Sequence, residues 1–181
     1  MYKYFISHSS KDAKVVKAFI KMLNTGTPIP NDDTIFCTSR KGDDITCGQD
    51  FVAELHEKLS DENTVIIAFF SQHYVDSTVC MAELGAGWIL KHKIIPYIIE
   101  DGFAFNKTSA LYEHIQGISA LNKEGLNKFI DDVVKKDYPD CSFNKWEESR
   151  DEFLANLPHL RTKETPNKVP YADYDNVLTE N

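Results

Sequence analysis

The chain has 181 residues, 42% of them hydrophobic and 27% charged, with a formal net charge of −8. That is enough apolar material for one core, and one domain with a modest extension fits the length. The acidic balance argues against a polyanion such as duplex DNA or RNA as main partner, although a local site for a small anionic ligand remains compatible with it.

The N-terminal residues MYKYFIS open directly on a strand-like run, with no basic and apolar leader pattern. The apolar runs at 65–70 and 94–99 are too short to span a bilayer. A cytoplasmic protein with no membrane role is the expectation. Cys37, Cys47, Cys80 and Cys141 form no C-x-x-C pair and no cluster with His at zinc spacing, so they read as free thiols and no metal site is expected.

In chain order, residues 4–7 predict a buried first strand. Ser9 stands three residues before Asp12, a spacing that predicts a capping box. A helix follows to about Leu23, with Val15, Val16, Phe19, Ile20 and Leu23 on one stripe. Residues 34–38 predict the second strand, 39–48 a charged loop with two glycines, and 49–59 the second helix. The β-branched and aromatic run at 64–70 predicts a central strand buried on both faces. Residues 71–78 form a polar turn and 79–90 the third helix, in which Trp88 is expected in the core. The fourth strand spans 94–99, where Pro96 points to a place near the sheet edge. A weak fifth strand lies at 118–121, a helix at 123–136 and a last helix at 146–157, ended by Pro158. The division that follows is a domain at 1–157 and a polar tail at 158–181, extended or partly disordered.

Strand and helix alternation with short connections predicts an α/β fold. The expected form is a flavodoxin-like three-layer sandwich with a five-stranded parallel sheet in the order 2-1-3-4-5. In that order the chain reverses direction between strands one and three, and ligands bind outside the C-terminal ends of those strands. The crevice is then lined by residues 7–11, by 71–77 and by the start of the third helix. A phospho-acceptor site is excluded: it needs an acidic pair after strand one and an Asp after strand three, where this chain has Ser7-His8 and Phe70-Ser71. Glu83 lies about one turn into the third helix, beside the crevice. Gly85 and Gly87 cost that helix roughly 1 kcal/mol each against alanine, which points to close packing or ligand approach.

The segments FISHSSKD at 5–12, IFCTS at 35–39 with GQDF at 48–51, and STVCMAEL at 77–84 resemble bacterial Toll/interleukin-1 receptor (TIR) domains. The three motifs stand in the right order, on the predicted strand ends, and the resemblance covers roughly residues 1–136. It implies an enzyme that hydrolyses or cyclises NAD⁺, of the type found in anti-phage defence, with the catalytic glutamate at Glu83. The family often has Trp four residues before that glutamate; here Val79 stands there. NAD⁺ is then the substrate and no further cofactor is implied. The product would be ADP-ribose, a cyclic isomer or an ADP-ribose conjugate, read by a separate effector protein.

Phe5, Ser7, His8, Ser9, Lys11, Arg40, Ser77, Val79 and Cys80 are the candidate substrate-binding residues around Glu83. The resemblance also implies self-association through the 39–48 loop. Two other functions fit the same residues: a non-enzymatic TIR interaction module, and an N-ribosyl enzyme like the nucleoside deoxyribosyltransferases.

Overall fold

In a computed structural model, the described residues are 2–30, 34–37, 59–103 and 117–160. The first strand, β1, is Lys3–Ser7, followed by a 3₁₀ turn at Ser10–Asp12 and helix α1, Ala13–Gly26. Strand β2 is Ile35–Cys37 and β3 is Thr64–Phe70. Then come the short helix α2, Gln72–Val75, helix α3, Thr78–Ile89, and strand β4, Lys93–Ile98. A two-residue pairing, β5, is Ile118–Ser119. Helix α4, Lys123–Phe129, runs on through a π-helical turn at Ile130–Val134 and a last turn at Lys135–Asp137. Helix α5, Phe143–Leu160, closes the described chain. The predicted second helix at 49–59 lies outside the described residues except at its end, and so does the tail from 161.

Four strands of three to seven residues make the body of a parallel sheet, and β5 completes the order β2-β1-β3-β4-β5. All seven residues of β3 are buried, as a central strand covered on both faces requires. Pro96 lies in β4 between two neighbours, yet costs the ladder little. Ile98 O accepts from Ala120 N and Ile99 N donates to Phe70 O. Alternation therefore turns the Pro96 nitrogen toward the β5 side, where pairing covers just Tyr97 and Ile98.

The period-2 alternation splits the core in two. Tyr4, Ile6, Val65, Ile67, Phe69, Ile95 and Tyr97 face α1, α4 and α5. Phe5, Ile66, Ala68 and Phe70 face α2 and α3. Ser7 shares the parity of Phe5, so its hydroxyl comes out under α3.

Several expectations are corrected here. The capping box is half formed: Ser9 Oγ accepts from Lys11 N at 3.4 Å, but the Asp12 carboxylate turns instead to Ser71 Oγ, which donates to it at 2.6 Å. Helix α5 begins at Phe143 and runs through Pro158 to Leu160, because a proline in the last turn removes only one intrahelical bond. Trp88 is 52% exposed and not core; it follows the sheet-facing Gly87 by one residue, about 100° round the helix.

The helix glycines differ. A Cβ on Gly87 would fall 2.0 Å from Ile66 Cδ1, so α3 sits down on β3 there; Gly85 faces open space. Glu83 is four residues ahead of Gly87 and shares its inward side.

Candidate functional site

The site is built at the C-terminal ends of β1 and β3, with α3 laid across them. Helix α3 starts where Ser77 Oγ caps Cys80 N at 3.3 Å. One turn in, Glu83 points toward the sheet and is 2% exposed. The seat of Gly87 on β3 turns the residue inward. Ser7 Oγ, itself fully buried, donates to Glu83 Oε2 at 2.6 Å. That is a short hydrogen bond of the charge-assisted kind, between residues 76 apart in sequence.

Tyr74 completes the arrangement, and sequence reasoning missed it. Its Oη lies 3.0 Å from Ser7 Oγ and 3.4 Å from the Cys80 carbonyl. Its ring packs on Phe70 with centroids 4.6 Å apart, and its amide donates to Ser71 Oγ at 3.1 Å. The signal was a single large aromatic inside a turn that otherwise reads as polar. The short helix carrying it is held at its start by Asp12, through Ser71, and by Glu100, which accepts from Gln72 N at 2.6 Å.

The other predicted residues divide into groups. Phe5 is 1% exposed and packs in the cluster with Phe70, Tyr74, Cys80 and Leu84. His8 and Ser9 are buried at the crevice, Lys11 is exposed, and Ser77 and Val79 are half-buried on the first turn of α3. Arg40 lies outside the described residues.

His8 Nδ1 approaches Cys37 Sγ at 3.8 Å, joining the ends of β1 and β2. Burial, with a smaller push from Lys17, lowers His8 to about 4, so the ring is neutral at physiological pH. Cys37 is exposed as a residue, but loss of hydration at its sulfur and then the Glu83 charge push the thiol up to about 11. Cys80 is also raised to about 11, by burial first, with Glu83 and Asp12 adding to it against the Ser77 hydrogen bond. Both sulfurs are therefore protonated thiols and poor nucleophiles. Asp12 is raised by burial against the pull of the Ser71 hydroxyl.

Glu83 is thus the carboxylate around which this end of the sheet is organised. A model of the TIR domain family matches residues 5–133, nearly three quarters of the chain and all of the site. The chain belongs to the TIR domain family. "Uncharacterized protein YddK" of Bacillus subtilis (strain 168) is 26% identical over 155 residues, covering 86% of this chain and 57% of that protein. The chain thus spans a little over half the length of that relative. Among solved structures, the crystal structure of the TIR domain of the Toll-related receptor TRR-2 from Hydra magnipapillata superposes with a TM-score of 0.53 at 18% identity. The match covers 75% of this chain and 98% of that one. This second likeness is one of fold.

Helix α5 lies beyond the family-matched region and packs on the face of the sheet away from Glu83. Among the described residues, no helix is long and apolar enough to cross a membrane, and no group of three or more His, Cys, Asp or Glu is placed to hold a metal ion.

Proposed function

We propose that this TIR domain cleaves the nicotinamide–ribose bond of NAD⁺, with Glu83 as the catalytic carboxylate. The observation that carries the reading is Glu83 itself: 2% exposed, at the switch point of the sheet, oriented by a 2.6 Å hydrogen bond from a buried serine. A buried carboxylate is costly and is kept where its charge is used. Departure of nicotinamide leaves a neutral molecule, so no general acid is needed. The transition state is an oxocarbenium-like ribosyl cation, which a nearby carboxylate stabilises while it binds ribose hydroxyls.

The product on this reading is ADP-ribose, a cyclic isomer or an ADP-ribose conjugate. Its role is that of a cytoplasmic immune signal in bacterial anti-phage defence, sensed by a separate effector protein. Self-association through the 39–48 loop, with Arg40, belongs to the same proposal.

A second reading, a TIR module that only recruits partners, is favoured by one observation. Trp88, Ile89 and Leu90 at the end of α3 are 52%, 76% and 50% exposed.

Chromatography with mass spectrometry of NAD⁺ incubated with the purified chain separates the two. NAD⁺ loss is expected, and Glu83→Gln lowers turnover roughly 100-fold or more. The amide keeps an acceptor for Ser7, so its melting temperature stays within a few degrees of wild type. Unchanged NAD⁺ loss in the folded variant removes Glu83 from the chemistry; no loss with either protein leaves the recruiting module.

A further inference from the structure

We propose that Tyr74 is a positioning residue for Glu83, acting through Ser7 as a directed hydrogen-bond relay. The inference rests on the reading of Glu83 given above and deepens it.

The direction follows from proton counting. Ser7 has one hydroxyl proton, and an ionised carboxylate only accepts, so the 2.6 Å contact places that proton on the line to Glu83 Oε2. Ser7 Oγ then offers Tyr74 only lone pairs. Tyr74 must therefore donate at 3.0 Å, in preference to the Cys80 carbonyl at 3.4 Å. The chain reads Tyr74 O–H to Ser7 O–H to the carboxylate, each donor strengthening the next by polarisation.

Neither hydroxyl has room to wander. Ser7 is fixed in β1 at 0% exposure; Tyr74, also at 0%, is clamped by Phe70 and by the Ser71 cap. The relay therefore fixes the side-chain rotamer of Glu83 and favours its charged form, because hydrogen bonds to a carboxylate favour the ionised state.

His8 follows β1, Cys37 ends β2 and Cys80 lies on α3, all neutral at pH 7; Asp12 and Lys17, from the 3₁₀ turn and α1, act from further out. Tyr74 and Ser7 are donors whose loss a titration of Glu83 reads.

Two measurements test the relay, one independent of turnover. In protein labelled with ¹³C at Glu carboxyls, the Glu83 resonance is assigned by its absence in Glu83→Gln and followed against pH. Its midpoint should rise from wild type to Tyr74→Phe and again to Ser7→Ala. An unmoved midpoint in both variants overturns the relay, whether or not the protein cleaves NAD⁺. In steady-state NAD⁺ cleavage, Tyr74→Phe should lower kcat about tenfold with KM nearly unchanged, and shift the acid limb of the pH profile upward with the midpoint. A kcat and acid limb equal to wild type overturn it. No cleavage by wild type, with the midpoints moving as stated, keeps the relay and removes the NAD⁺ reading.

Discussion

Tyrosines on the two faces of the sheet serve opposite purposes. On the face covered by α1, α4 and α5, Tyr4 and Tyr97 are fully buried, and among the described residues their hydroxyls meet no hydrogen-bond partner. Burial pushes both phenols far up, as expected for groups with nothing to stabilise a charge. Their rings are packing material: Tyr97 stacks on Phe69 at 5.9 Å and meets Phe19 at 5.3 Å. On the α3 face the hydroxyl of Tyr74 is engaged with Ser7, and through it with Glu83. One face supplies cohesion; the other gives up apolar area to hold a carboxylate in place. A variant should therefore damage stability or chemistry according to the face it falls on.

The largest expected effect is at Phe19, whose ring meets Phe69, Tyr97, Phe129 and Phe153 at 4.9 to 6.3 Å. Phe19→Ala should cost about 3–5 kcal/mol in urea unfolding. NAD⁺ cleavage per folded molecule should stay close to wild type, the mirror image of Glu83→Gln. Equal loss of turnover in the folded fraction would merge the two faces into one unit.

His8, at the C-terminal end of β1, gives the next effect. Its folded-state pKa of about 4 lies below the ordinary 6.5, so the unfolded chain takes up the proton first. Stability from this group is full above pH 6.5 and declines as pH falls toward 4, by up to about 1.4 kcal/mol per pH unit. Unfolding free energies measured across that window should fall less steeply in His8→Gln. Parallel curves for the two proteins would show that the imidazole is not desolvated.

The smallest effect is at Tyr97. Removing an unpartnered buried hydroxyl relieves a desolvation cost, so Tyr97→Phe should raise stability by about 1 kcal/mol, or roughly 2–4 °C in Tm. A drop in Tm would reveal a partner for that hydroxyl.

Much of the architecture was legible in the sequence because periodicity reports burial directly. The run at 64–70 announced a strand covered on both sides, and the stripe through Val15, Phe19 and Leu23 announced α1. The switch point, and with it the place of Glu83, followed from strand–helix alternation.

What stayed hidden depends on contacts between distant residues. Asp12 looks like a local cap but reaches Ser71, 59 positions away. Tyr74 sits on a helix of four residues, too short to show a period. The inward aim of Glu83 and the exposure of Trp88 follow from where α3 touches β3. That register is fixed by the missing side chain of Gly87, and by Ile66 on the strand beneath it.

The pairing of α1 with α5 joins segments that are far apart in the order of synthesis. At the end of α1, Gly26 lies so near α5 that an added Cβ would stand 3.0 Å from Ser149 Cβ. Trp146 and Arg150 of α5 are buried, and both donate to Asn127 Oδ1 of α4, at 2.9 and 2.8 Å. These partners lie more than a hundred residues downstream of α1. At about 5–20 residues per second of synthesis, the side of α1 carrying Met22 waits roughly 6 to 28 seconds for its cover. On the ribosome, α1 is made well before the helix that shelters it.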